Sequence, residues 1–265
     1  MKWPVVNKDY HEQGSSSSDS DFVAKFTKVP FHLASWTENA GYLTQKRVLD
    51  FCCSTGETAC GIAFFHDPAE IFAVDFHTPG SNLLSRITAN TAATELPKNL
   101  HFKQLGPTID LPPGEFDFIY SWSKFELIEK SLLPLIIGKF YDSLSLGGRV
   151  LIQLGRPYYS PLGGHLVECG ISNWEHLTLP LSELKQRVMT GNSFSDAKRI
   201  AIWERFERLN KITAEQLTSL FSGAGFHLAK SYVQKTTDLP PKQLIDVYQK
   251  DKILENQYVL LFVKA

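Results

Sequence analysis

Val48-Leu49-Asp50-Phe51-Cys52-Cys53-Ser54-Thr55-Gly56 is the stretch on which the reading of this chain turns. Val48 to Cys53 is a short apolar run and reads as a buried strand. Ser54 to Glu57 reads as a turn, and Thr58 to Phe65, rich in small residues, as the helix it leads into. A turn from a strand into a helix N-terminus presents backbone N–H groups and the positive end of the helix dipole. The next apolar run, Glu70 to Asp75, ends in an acid nineteen positions after Gly56. That spacing matches the roughly 20 residues of a nucleoside-binding βαβ unit, whose acid accepts the hydroxyls of a ribose.

Working outward, the alternation continues. A helix is predicted over Asn82 to Glu95, strands over Leu100–Gln104 and Phe116–Ser121, and a helix over Lys130–Leu144 with Pro134 near its start. Gly147-Gly148 reads as a turn into a fifth strand, Arg149–Leu154. Strands and helices in this rhythm imply a doubly wound α/β fold with a mostly parallel sheet. Such sheets bind ligands at the carboxyl ends of their strands. The tips are Cys52–Gly56, Asp75–His77, Gly106–Thr108 and Ser121–Lys124.

The flanks divide the chain further. Residues 1–21 read as a flexible arm, with the polar run Gly14 to Ser20 and with Trp3 and Tyr10 as its contact residues should it fold over a ligand. Residues 22–155 are the ligand-binding core, opening on a helical apolar pattern (Phe22, Phe26, Leu33, Trp36) interrupted at Pro30. Residues 156–210 break the rhythm with Tyr, Pro, Gly, Trp and His and read as an inserted cap. Residues 211–265 return to the core pattern. Thr213 and Gln216 form a capping box, the helix ends near Gly223–Gly225, and strands at Phe226–Val233 and Tyr258–Val263 flank a helix at Leu244–Ile253. An antiparallel edge is expected to close the sheet there.

Composition narrows the function. The 265 residues carry 27 Lys+Arg against 28 Asp+Glu, which gives no global reason to bind nucleic acid or an anionic membrane. No apolar run approaches the ~18 residues of a membrane span, and residues 1–20 lack the apolar stretch of a secretory signal. Cys52, Cys53, Cys60 and Cys169 follow no C-x-x-C spacing, so no zinc or redox motif is indicated, and a reducing, cytoplasmic setting is expected. His165, Cys169 and His176 are too loosely spaced for a metal site, and neither a G-x-S-x-G elbow nor a P-loop Lys is present.

The motifs together resemble class I S-adenosylmethionine (SAM)-dependent methyltransferases. Val48 to Gly56 looks like their first motif, hydrophobic-Leu-Asp-x-Gly-x-Gly-x-Gly, and Ala73-Val74-Asp75 like the second. Phe116 to Ser121 resembles the fourth, Leu144 to Leu151 the loop and strand written Leu-x-Pro-Gly-Gly, and Phe221 to Phe226 the late Ala-Gly-Phe helix end. The resemblance spans about Phe22 to Ala265 and implies a seven-stranded Rossmann-like sheet with an inserted cap. It also implies SAM as cofactor. Asp50 is then expected at the amino-acid end of SAM, Asp75 on the ribose, Phe76 against the adenine, and Ser121 and Trp122 along the methionine end. The chain departs from the pattern in two places. Of the three glycines only Gly56 remains, with Cys52 and Ser54 in the places of the others. The third motif lacks its Asp, and Leu105-Gly106-Pro107 stands there, so Thr108 or a backbone carbonyl would meet the adenine amino group.

Methyl transfer depends on positioning and exclusion of water, helped by a general base when the nucleophile carries a proton. His165, His176 and Tyr159 in the cap are the candidates, with Tyr158 and Glu168 nearby; Lys124 and Glu126 read either as substrate contacts or as a solvated helix start. The aromatic cap favours a partly apolar, planar small-molecule substrate over nucleic acid. Two other readings stay open. One is a SAM enzyme of the same fold that cyclises or transfers the aminobutyrate part and releases methylthioadenosine. The other is a non-catalytic binding protein with a worn motif.

Overall fold

The computed structural model describes residues 19–37, 41–191 and 194–265. Trp3, Tyr10 and most of the polar arm lie outside the described residues. The described residues begin with α1 (Ser20–Val23), a π turn (Ala24–Lys28) and α2 (Val29–Trp36). The core elements follow as β1 (Arg47–Phe51), α3 (Glu57–His66), β2 (Glu70–Asp75), α4 (Leu83–Asn90), β3 (Leu100–Gln104), β4 (Phe116–Trp122), α5 (Leu133–Ser143) and β5 (Leu144–Leu154). Short helices α6 (Glu175–Thr178), α7 (Leu181–Thr190) and α8 (Asp196–Arg208) precede α9 (Ala214–Gly223), β6 (Phe226–Lys235), α10 (Lys242–Val247), α11 (Lys250–Leu254) and β7 (Glu255–Lys264).

The seven strands form one mixed sheet in the order β3-β2-β1-β4-β5-β7-β6, with one strand antiparallel. This is the doubly wound arrangement expected from the alternation. β1 pairs in parallel with β2 on one side and β4 on the other, and β2 pairs in parallel with β3. The order reverses around β1, so its carboxyl end is the topological switch point. The last strand of the chain, β7, enters between β5 and β6, which leaves β6 at the edge.

Two compact units are distinguishable. One holds the described residues through Ser121 together with Lys139–Leu151 and Leu261–Ala265. Its interior is apolar: Val48, Leu49 and Phe51 of β1, Ile71, Ala73 and Val74 of β2, and Phe116, Phe118 and Ile119 of β4 are fully buried. The Phe140 ring meets Phe51 edge-on at 4.9 Å. Helical structure is not interrupted at Pro30. Pro30 has no N–H for the Phe26 carbonyl, four residues back, and the chain accommodates this with the π turn just before it. Gly61 of α3 lies against that carbonyl, and a Cβ there would collide with it.

The other unit comprises Trp122–Gly138 and Ile152–Leu260. It has a core of its own in which Leu166, Ile171, Leu184, Val188, Ile202, Trp203 and Phe206 are buried together. Trp174 packs in a second cluster with Leu244 and Ile253. The capping box at the start of α9 is present, with Gln216 N–H donating to Thr213 Oγ1 at 3.3 Å. Gly147-Gly148 does not end a turn before β5 as the sequence suggests. The strand extends back through both, Gly147 taking a φ of +74°. No helix among the described residues is long and apolar enough to cross a membrane.

Candidate functional site

The turn after β1 is the first feature of the site. Cys52 has φ +63°, Ser54 φ +57° and Gly56 φ +87°. These are the three positions where the resembled motif has glycine. The backbone therefore keeps the left-handed conformations of a glycine turn although two of its residues carry side chains, at a cost of order 1–2 kcal/mol each. At Gly56 the reason for glycine is doubled, because an added Cβ would stand 2.7 Å from Cε1 of Phe102. The turn is fastened by Cys53 N–H to Val74 O at 3.0 Å and by Gly56 N–H to Cys53 O at 3.0 Å. Cys60 N–H then bonds to Gly56 O at 2.9 Å and opens α3.

Asp75, at the tip of β2, locks this turn. Its Oδ2 accepts the Ser54 N–H at 2.8 Å and its Oδ1 accepts the His77 N–H at 3.0 Å. Each carboxylate oxygen keeps a further lone pair, so the group can still accept from a ligand's hydroxyls. Phe76 is half-buried, its ring edge-on to Phe51 at 6.1 Å. Gln104, at the end of β3, donates its amide to Phe76 O at 3.1 Å. Thr108 is exposed and donates its hydroxyl to Asp110 Oδ2 at 2.6 Å. That hydrogen bond is the main reason the Asp110 carboxyl is held below its ordinary range, with Lys139 assisting. An acid, Asp110, thus stands two residues beyond Thr108.

Behind the turn the polar groups are sealed. Asp50 is buried and faces Ala73 of β2 and Tyr120 of β4 across the sheet. Burial, then the neighbouring Asp50, push the Tyr120 hydroxyl far above its usual range. Burial and the charges of Asp50 and Asp75 raise the Cys53 thiol likewise, so it stays a thiol. Ser121, the next residue on β4, is fully buried and its Oγ has no hydrogen-bond partner. Two carboxylates therefore flank the turn, with an unanswered hydroxyl close by on β4. That acceptor set suits a ligand with hydroxyls, an ammonium and a cationic centre.

In the second unit, Trp122 is half-buried at the end of β4. Ser123, with φ +54°, donates its hydroxyl to Gln153 Oε1 at 2.7 Å and its N–H to Gln153 O at 2.9 Å. The one-turn 3-10 helix Phe125–Leu127 follows. Glu126 is not at a solvated helix start: it is 4% exposed and neither carboxyl oxygen completes a hydrogen bond. Burial raises its pKa to about 7, against the opposing pull of the nearby N–H groups of Glu126 itself and Gly155 and of Lys124 and Arg156.

The cap candidates are engaged locally. His176 is buried, and its Nε2 lies 2.7 Å from Tyr158 O. His165, at φ +54°, places Nε2 at 3.2 Å from Arg156 O. A carbonyl only accepts, so each Nε2 carries the proton and Nδ1 the lone pair. Burial lowers both imidazoles to about 4, so they are neutral at physiological pH and accept protons weakly. The Tyr159 ring packs between Tyr158 at 5.3 Å and Tyr248 at 5.6 Å, with Lys252 Nζ over its face at 3.9 Å. The structure brings His176, Tyr158 and Tyr159 into one aromatic group. Tyr120, Asp110 and Glu126 are residues with perturbed titration that sequence reasoning missed or set aside, and an acid set between Phe125 and Leu127-Ile128 was the available signal for the last.

No family model and no curated protein sequence matches this chain. Solved structures do. Magnesium protoporphyrin IX methyltransferase from Synechocystis PCC 6803, solved with bound SAH, superposes with a TM-score of 0.54 over 90% of this chain and 82% of that one, at 11% identity. The N-methyltransferase NodS from Bradyrhizobium japonicum WM9 superposes with a TM-score of 0.51 over 94% and 99%, at 9% identity. The chain has the Rossmann-like fold of the class I SAM-dependent methyltransferases. At this identity the likeness is one of fold, and function has to be argued from the site.

Proposed function

We propose that this chain is a SAM-dependent methyltransferase acting on a small molecule. The observation that carries the reading is the turn at Cys52–Gly56, held in a left-handed backbone path at all three glycine positions and fastened by Asp75. A path that unfavourable for Cys and Ser is retained where the backbone must approach a ligand. The polar groups fit SAM. Asp75 would accept the ribose hydroxyls, Phe76 would flank the adenine, and Thr108 with Asp110 would meet its amino group. Asp50 would pair with the ammonium, the backbone of Cys52, Ser54 and Gly56 would face the methionine part, and the orphaned Ser121 hydroxyl, with Trp122 next in the chain, would complete that end. When bound, SAM supplies an electrophilic methyl on a sulfonium. The chain's part is to orient that methyl, exclude water, and take up any proton the acceptor must lose. The alternative that releases methylthioadenosine drew its motive from the altered glycine residues, and the retained backbone path removes that motive.

Calorimetry with SAM and with S-adenosylhomocysteine tests the reading. Asp75→Ala should weaken binding about 100-fold, the scale of two lost hydrogen bonds to a charged acceptor. Unchanged affinity would contradict the pose. Incubation with SAM and cell extract should yield S-adenosylhomocysteine; methylthioadenosine as the nucleoside product would overturn methyl transfer.

A further inference from the structure

Buried polar groups are nearly always hydrogen-bonded, and an exception calls for a reason. Glu126 is such an exception. Its carboxyl follows the carboxyl end of β4 and lies near Gly155, the residue after β5. That is the edge at which doubly wound sheets take ligands. Its backbone is not free to relax. Asn210 donates its amide to Phe125 O at 2.7 Å and to Ile128 O at 2.9 Å, and its N–H to Glu126 O at 3.2 Å. The ionic groups that bear on the carboxyl are Lys124 from its own loop and the exposed Arg156 from the segment after β5; Asn210, from the segment before α9, is neutral. A ligand that answered this arrangement would bring a hydrogen-bond donor to the carboxyl and an anion to the two cations.

We propose that Glu126 is the proton acceptor for the ammonium group of a small amino-acid-like substrate, whose carboxylate is received by Lys124 and Arg156. This deepens, and rests on, the methyltransferase reading. The step balances simply. The ammonium N–H bond breaks, its electron pair stays on nitrogen, and the proton joins a Glu126 carboxylate oxygen. A cation and an anion become a neutral amine and a neutral acid, and the nitrogen lone pair is left free as the nucleophile. A carboxyl poised near neutrality is matched to that exchange. All of the groups named belong to the second unit.

The test is calorimetry on the full chain saturated with S-adenosylhomocysteine, using glycine and methylamine as probes, in buffers of different ionisation enthalpy. Both probes should bind, glycine at least tenfold more tightly. Binding at about pH 6 should release close to one proton, and the release should vanish by about pH 8, because a group titrating near 7 is already ionised there. Glu126→Gln should bind both probes at least tenfold more weakly and release no proton. Arg156→Ala should bring glycine down to the affinity of methylamine and leave methylamine unchanged. In the wild-type chain at about pH 8, where the free carboxyl is ionised, the infrared band of a protonated carboxyl should appear on adding methylamine, a readout that needs no variant to fold. Equal binding by Glu126→Gln, or failure of that band to appear, overturns the proposal. If S-adenosylhomocysteine binds and neither probe does, this proposal alone falls; if S-adenosylhomocysteine itself does not bind, the methyltransferase reading falls with it.

Discussion

Asp75, at the tip of β2, and Glu126, in the one-turn helix after β4, are both buried acids, and they are treated in opposite ways. Asp75 is given a backbone N–H on each oxygen, at 2.8 and 3.0 Å, in the turn it fastens. Glu126 is 4% exposed and completes no hydrogen bond with either oxygen. The first is a structural fastening that keeps spare lone pairs for a ligand. The second is a desolvation that the nearby N–H groups and cations do not fully offset, so its proton is held more tightly. The contrast separates two jobs that one residue type performs: holding a binding loop in shape, and holding a proton near the edge of neutrality.

The largest expected effect comes from breaking the turn directly. Gly56→Ala would force a Cβ onto Phe102 at 2.7 Å and a side chain onto a φ of +87°. The backbone and overpacking costs together are about 3 kcal/mol. Urea denaturation should show that loss, together with lost SAM binding. An Ala variant of wild-type stability would mean that the turn is not the fastened element described above.

Next in size is the titration of Glu126. Its folded pKa is raised from 4.5 to about 7, so the folded chain holds more protons than the unfolded chain between those values. Stability from this group is therefore full below about pH 4.5 and falls as pH rises through 7, by roughly 3 kcal/mol in all. His66, His165 and His176, each lowered to about 4 chiefly by burial, act in the opposite sense, since the unfolded chain takes up their protons first as pH falls below about 6.5. The informative quantity is thus the difference between Glu126→Gln and wild type. The variant should gain on the wild type by roughly 3 kcal/mol between about pH 4.5 and 8. A difference that stays flat across that range would place the carboxyl in contact with solvent or a partner and dissolve the contrast with Asp75.

The two acids also differ in how far the sequence discloses them. Asp75 is legible because its environment is local. A strand of apolar residues delivers it, and its distance from Gly56 is fixed by one helix and one turn. The strands were legible for the same reason, as runs of Val, Ile, Leu and Phe bounded by turn residues. Glu126 was not, because the backbone around it is held by Asn210, whose amide reaches a carbonyl 85 positions away. Charged neighbours such as Lys124 and Glu129 suggest a solvated helix start, and nothing within ten residues contradicts them. Pro30 misled differently. A proline usually ends a helix, yet a π turn of five residues absorbs the missing N–H here. Of the cap, the aromatic grouping was readable. The engagement of His165 and His176 with backbone carbonyls was not, since loop backbone positions follow from the packing of the whole unit.

The smallest effect is the sharpest probe of what the turn is for. Ser54 sits at φ +57° with its side chain exposed, and its bond to Asp75 uses the backbone N–H alone. Ser54→Gly therefore keeps that bond and removes the left-handed cost, about 1–2 kcal/mol. The added freedom of glycine in the unfolded chain offsets about 0.5–1 kcal/mol of this. The net is a stabilisation of about 0.5 kcal/mol, or 1–2 °C in Tm for a chain of this size. Ser54→Val should move the other way by more than 1 kcal/mol, because a β-branched side chain tolerates that backbone region worst. The paired melting curves isolate backbone strain from hydrogen bonding, since both variants retain the N–H that Asp75 accepts. If glycine lowers Tm, Ser54 holds the turn through its hydroxyl, and the strained path is not an inheritance from a glycine motif but a feature that serine itself maintains.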